Sequence, residues 1–110
     1  MSTVRTVTPT WQWPADVLTF AAQHKVAAYL DPLLAATRQV YPTARSVRVF
    51  LEDDPEIRDE WSIVFEVRVP ESDLPNYPAA VDSWSRELFR ICPPSPLSYV
   101  FCLRLLPVTS

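Results

Sequence analysis

The chain contains no glycine. Phosphate-cradling loops and the tight turn of dinucleotide-binding units both need backbone that only glycine permits, so nucleotide cradles of the standard kinds are excluded. Histidine occurs once, as His24, and cysteine twice, as Cys92 and Cys102. Two thiols and one imidazole at these spacings do not make a zinc site. The cysteines read as free, buried thiols packing like small hydrophobes, with a single bridge between them also compatible with the spacing.

Long apolar runs are missing as well. A membrane-spanning helix needs about 20 consecutive apolar residues, and the apolar stretches here are short and soon broken by charge. The first ten residues carry one arginine and no apolar run, which is not the pattern of a secretory signal. Together these absences point to the cytoplasm. Basic residues are also outnumbered, ten against thirteen acidic, for a net charge of −3. That balance argues against nucleic acid as a partner, because phosphate-backbone binding needs a basic footprint.

What is present is a chain of 110 residues, nearly half of them hydrophobic, punctuated by twelve prolines. This is enough for one domain with its own core. Residues 1–13 read as a flexible N-terminal arm and 14–110 as a single α+β domain. Trp11 and Trp13 are placed to lid the core. Pro14 opens a helix at its first position, with Asp16 in the first turn, and Val17, Leu18, Phe20, Ala21, Ala28 and Leu30 form its stripe. Asp31 and Pro32 look like the cap and first residue of a second helix, which runs to Pro42; a single helix broken near residue 31 fits the same pattern.

The period then changes from helical to alternating. Val47, Val49 and Leu51 share one face of a strand over 46–52. Over 60–69, Trp61, Ile63, Phe65, Val67 and Val69 face one way, and Ser62, Val64, Glu66 and Arg68 the other. A polar turn joins the two as a hairpin. Residues 79–91 return to helical spacing through Val81, Trp84, Leu88 and Ile91, with Glu87 able to pair with Arg86 or Arg90. A last strand is expected over 97–105, with Leu97, Tyr99, Phe101, Leu103 and Leu105 inward. The order is α-α-β-β-α-β, a three-stranded, mainly antiparallel sheet with helices packed on one face. The pattern does not specify strand order.

Such a sheet leaves a face carrying Arg48, Phe50, Glu52, Val64, Glu66, Arg68, Val100, Cys102 and Arg104. Phe50, Val64 and Val100 as an apolar strip ringed by Arg48, Arg68 and Arg104 have the make-up of a protein interface. On this reading Val64→Glu leaves the fold intact and abolishes association. The turn residues Asp53, Asp54, Glu56 and Asp59 form a second candidate, an acidic docking loop. Their spacing does not match a calcium loop. His24 has no nucleophile and orienting acid placed beside it by the sequence. The tryptophans do not make a base-stacking platform, since Trp61 and Trp84 lie on core-facing stripes.

The run LEDDPEIRDEWSIVFEVRV, followed by SWSRELFRICPP and the closing FCLRL, resembles small bacterial α+β proteins of no assigned activity. The similarity covers residues 51–105. It implies a bacterial, cytoplasmic origin and carries over no functional residue.

The expected function is a non-enzymatic protein-interaction module, without cofactor, that offers its open sheet face to a partner protein or to a second copy as a homodimer. An antitoxin-like or immunity-like neutraliser is one concrete form. The alternative is a small enzyme or ligand-binding domain with a pocket between helices and sheet, drawing on His24, Tyr29, Tyr41 or the acidic turn.

Overall fold

The computed structural model describes residues 12–53, 61–92 and 100–109. Within them lie α1 (Ala15–Gln23), α2 (Leu30–Val40), β1 (Ser46–Asp53), β2 (Trp61–Pro70), α3 (Tyr77–Ile91) and β3 (Phe101–Val108). Short 3-10 turns, Ala27–Tyr29 and Glu71–Asp73, precede α2 and follow β2. The α+β class and the element order agree with the sequence pattern.

The sheet order is β1-β2-β3, with β2 in the centre. β1 and β2 are antiparallel, with Phe50 opposite Val64 and Arg48 opposite Glu66. β2 and β3 run parallel, with Val64 beside Cys102 and Glu66 beside Arg104. The sheet is therefore mixed, not mainly antiparallel. The reason is α3: a helix of 15 residues spans about 22 Å and carries the chain back along β2 before β3 begins. A strand–helix–strand crossover yields parallel neighbours. The last strand also lies further along than expected, ending at Val108 and running through Pro107. Leu97 and Tyr99 lie outside the described residues.

All three helices pack on one sheet face. Val17, Ala21, Leu30, Leu33, Leu34, Trp84 and Leu88 from the helices join Val49, Ile63, Phe65, Val67, Val69, Phe101 and Leu105 from the sheet in one buried cluster. Phe65 sits at its centre, with the Trp84 and Phe101 rings at 5.9 and 6.2 Å. Trp13 closes the cluster edge-on to Phe65 at 6.4 Å, as a lid should. Trp61, expected inside, is 47 % exposed because it is the first residue of β2, beyond the reach of the helices. Leu18 is exposed as well, since the buried stripe of α1 is Val17 and Ala21.

Helix boundaries follow local chemistry. Pro14 is the N-cap of α1, not its first residue, and the Asp16 carboxylate accepts from the Val17 N–H at 2.8 Å. Asp31 does not cap α2. It stands in the first turn, and its carboxylate accepts from Trp13 Nε1 at 2.7 Å, tying the segment before α1 to α2. Asn76 caps α3 by accepting from the Ala79 N–H.

Without glycine, α1 ends on Lys25 in the left-handed region, at φ 61°. The Val26 and Lys25 N–H groups donate back to the Ala21 and Ala22 carbonyls, which is the Schellman arrangement. Ala21 and Val26, the pair that packs in this motif, are both fully buried.

Between α2 and α3 the core contains one buried polar link. Thr37 Oγ1 donates to the Leu33 carbonyl at 2.7 Å and accepts from Trp84 Nε1 at 2.9 Å.

Candidate functional site

Alternation along the strands sends Arg48, Phe50 and Glu52 of β1, Val64, Glu66 and Arg68 of β2, and Cys102 and Arg104 of β3 to the face opposite the helices. The registers arrange them in rows. Arg48, Glu66 and Arg104 form one row across the sheet, and Phe50, Val64 and Cys102 the next.

Glu66 is the hub. It is 5 % exposed although it lies on the helix-free face. Its Oε1 lies 3.1 Å from Arg48 Nη1 and 3.6 Å from Arg68 Nη2, and its Oε2 lies 3.7 Å from Arg104 Nη1. A buried carboxylate needs such compensation, and three guanidinium groups supply it. The arginine side chains remain 41 to 61 % exposed. The acid is thus internal and the cationic groups face water.

Arg104 also reaches across the sheet. Its Nη2 binds both carboxylate oxygens of Glu52, and its guanidinium lies 5.8 Å from the centre of the Phe50 ring. Strands β1 and β3 flank β2 and lie about 10 Å apart. To make these contacts the Arg104 side chain passes over the central strand, above Val64. Arg48 approaches the same ring at 5.2 Å, so Phe50 is held between two cations. The Glu52 carboxylate, followed by Glu66, raises the Arg104 pKa above its ordinary value.

These contacts correct one expectation about the surface. Val64 is only 2 % exposed, covered by its own neighbours, and offers no apolar contact to a partner. Val64→Glu would bury a charge, so it tests folding and not association. Val100 departs from the set too: it precedes β3 and packs against the core cluster. Arg48, Phe50, Arg68 and Arg104 are brought together as expected, and the surface they make is an aromatic ring framed by arginine.

Cys102 sits on this face and is exposed, whereas Cys92 is buried, and neither forms a disulfide. The expectation of two buried thiols therefore holds for Cys92 only. Neighbouring groups strip water from the Cys102 thiol and push its pKa up; Arg104 opposes this and Glu52 adds to it.

Of the acidic turn, Asp53 is exposed at the end of β1, and Asp54, Glu56 and Asp59 lie outside the described residues. No group of three or more His, Cys, Asp or Glu that could hold a metal occurs among the described residues. His24 is exposed at the end of α1, stacked on Phe20 at 4.1 Å.

A cleft of about 460 Å³ opens at the carboxyl end of β2, lined by Val40, Tyr41, Val69, Leu74, Ala80 and Ser83 among others. Two of its polar side chains are engaged in the fold. The Tyr41 hydroxyl donates to the Ala80 carbonyl at 2.7 Å, and Ser83 Oγ to the Ala79 carbonyl at 3.0 Å. Burial, assisted by Tyr77, pushes the Tyr41 pKa up to about 12, which keeps the phenol neutral.

No helix among the described residues is long and apolar enough to cross a membrane. No family model, curated protein or solved structure matches the chain.

Proposed function

We propose that the protein is a non-enzymatic interaction module whose helix-free sheet face docks on a partner protein with an acidic surface. The observation that carries this reading is the arginine-framed Phe50. In a chain of net charge −3, three partly exposed arginines converge on one sheet face around the buried Glu66, with the half-buried Glu52 also holding Arg104. Arginine and aromatic side chains are enriched where proteins meet, and a rigid guanidinium fork suits carboxylates on the partner. The cations are already positioned by Glu66 and Glu52, so binding costs less side-chain entropy than it would for free arginines.

An antitoxin-like or immunity-like neutraliser, acting in the bacterial cytoplasm, is one concrete form of this activity. It works by covering a partner's surface and needs no reactive group of its own.

The test is affinity capture from cells of the source organism with the wild type, Arg68→Glu and Arg86→Glu. Arg68 lies on the proposed face; Arg86 is a 79 % exposed arginine on α3, paired only with Asp82 among the described contacts. A partner held by the wild type and Arg86→Glu but lost from Arg68→Glu supports the reading. A partner that all three variants hold equally removes it.

A further inference from the structure

The two edges of the sheet differ. β3 contains Pro107, which has no N–H to donate, and its one charged residue, Arg104, has no acidic counterpart on the same strand. β1 contains no proline and directs no charge inward before its last residue, Asp53; Val47, Val49 and Leu51 face the core side. Of its eight residues only Asp53 directs a charge inward, and the seven before it are a template for another strand.

The outward residues of β1 are also self-complementary. Arg48, Phe50 and Glu52 place a base and an acid symmetrically about an aromatic ring. In an antiparallel pairing of two copies centred on Phe50, Arg48 stands opposite Glu52 of the second copy, Glu52 opposite its Arg48, and the two Phe50 rings face each other. On the core side, Val49 meets Leu51 twice. Moving the centre to Val49 or Leu51 puts Phe50 opposite Arg48 or Glu52 and leaves no Arg48–Glu52 pair. Charge and shape thus select one register.

We infer that the protein forms a homodimer by antiparallel pairing of β1 with β1 of a second copy, joining two three-stranded sheets into one of six strands. Arg48 uses a single Nη on Glu66 and is 61 % exposed, so its guanidinium fork retains donors for the second copy's Glu52. α1, which packs beside β1, holds Leu18 44 % exposed, an apolar side chain on the helix next to the seam. The interface is isologous and closed, so assembly stops at two. The seam draws on Arg48, Phe50 and Glu52 at the rim of the helix-free face and leaves Arg68 and Arg104 clear of it, so the two readings share β1 and are told apart at Arg68.

Cross-linking reads the register directly. Residues opposite one another in an antiparallel pair have Cα atoms about 4.5–5.5 Å apart, within the range a disulfide spans. In a Cys102→Ser background, which removes the exposed native thiol, Phe50→Cys is expected to oxidise to a covalent dimer. Glu52→Cys is expected to stay monomeric on a non-reducing gel, because its two copies lie about 14 Å apart along the strands. Light scattering on the wild type should give twice the chain mass, falling on dilution. A wild type that remains monomeric at its highest soluble concentration overturns the inference. So does a dimer in which Glu52→Cys cross-links as readily as Phe50→Cys. Neither result touches the Arg68→Glu capture test, since Arg68 lies on the central strand, away from the seam.

Discussion

Removing the arginines around Glu66 one at a time and then together separates a shared counter-charge from three independent surface pairs. Each guanidinium is 41 to 61 % exposed, so each pair alone resembles a surface ion pair. Arg48→Met, Arg68→Met or Arg104→Met should therefore cost under about 1 kcal/mol, because two cations still lie within 4 Å of the carboxylate. Arg104→Met is expected at the top of that range, since it also removes the pair with Glu52. The triple variant differs in kind. It leaves a carboxylate with 7 % exposed side-chain area and no partner, a change that costs on the order of 3–5 kcal/mol. Against a domain stability of about 5–15 kcal/mol, such a variant sits close to unfolding. The loss exceeds the sum of the three single losses. Adding Glu66→Gln to the triple variant should restore much of the stability, because the charge that lacked compensation is gone. Urea unfolding at one fixed protein concentration measures all five variants. Single losses that sum to the triple loss, or no rescue by Glu66→Gln, would refute the argument that one buried carboxylate organises the face.

Other predictions concern the core and the helix ends. Thr37→Val keeps shape but removes the acceptor for the buried Trp84 N–H, so a loss of about 1–3 kcal/mol is expected in the same unfolding assay. Lys25→Gly relieves a non-glycine residue held at φ 61°, and a melting-temperature rise worth up to about 1 kcal/mol should follow, glycine's added freedom in the unfolded chain offsetting part of the gain. Tyr41 has a folded-state pKa of about 12 against an ordinary 10.0. Its stabilisation is complete below pH 10 and is lost as pH rises from 10 to 12, with a total on the order of 2–3 kcal/mol. A pH series of unfolding curves should show a shallower alkaline decline for Tyr41→Phe than for the wild type. Equal slopes would remove Tyr41 as the cause.

Much of this fold is written in hydrophobic periodicity. Val47, Val49 and Leu51, and Ile63, Phe65 and Val67, declare their strands and their inner face by strict alternation, and Trp84 and Leu88 mark the buried stripe of α3. The direction of β3 is legible as well, because a helix between two strands signals a crossover, although the hairpin taken alone points to an antiparallel sheet. Trp61 is exposed although it shares the inner face, because alternation assigns a face without showing where the covering helices end. For Val64 alternation gives the face correctly, but its 2 % exposure arises on a face where Arg104 reaches Glu52 and Phe50 of the far strand, long-range contacts that no local pattern encodes. The same holds for the Glu66 hub. Each of its three arginines is visible as an outward residue, and their convergence requires the strand order and both registers. The Thr37–Trp84 bond, 47 residues apart in sequence, left no signal at all.

The helix-free face is the proposed docking surface, and Cys102 reports on it. It is exposed there, while Cys92 is buried and serves as an internal reference. The deciding measurement is the rate at which a thiol reagent labels Cys102, in the isolated protein and in the complex recovered by capture, under mildly alkaline conditions that offset its raised pKa. If the partner covers the arginine-framed face, Cys102 should be labelled at least about tenfold more slowly in the complex, because the packed core of an interface excludes the reagent, with Cys92 slow in both. Equal rates for Cys102 alone and in the complex would place the partner elsewhere and contradict the account.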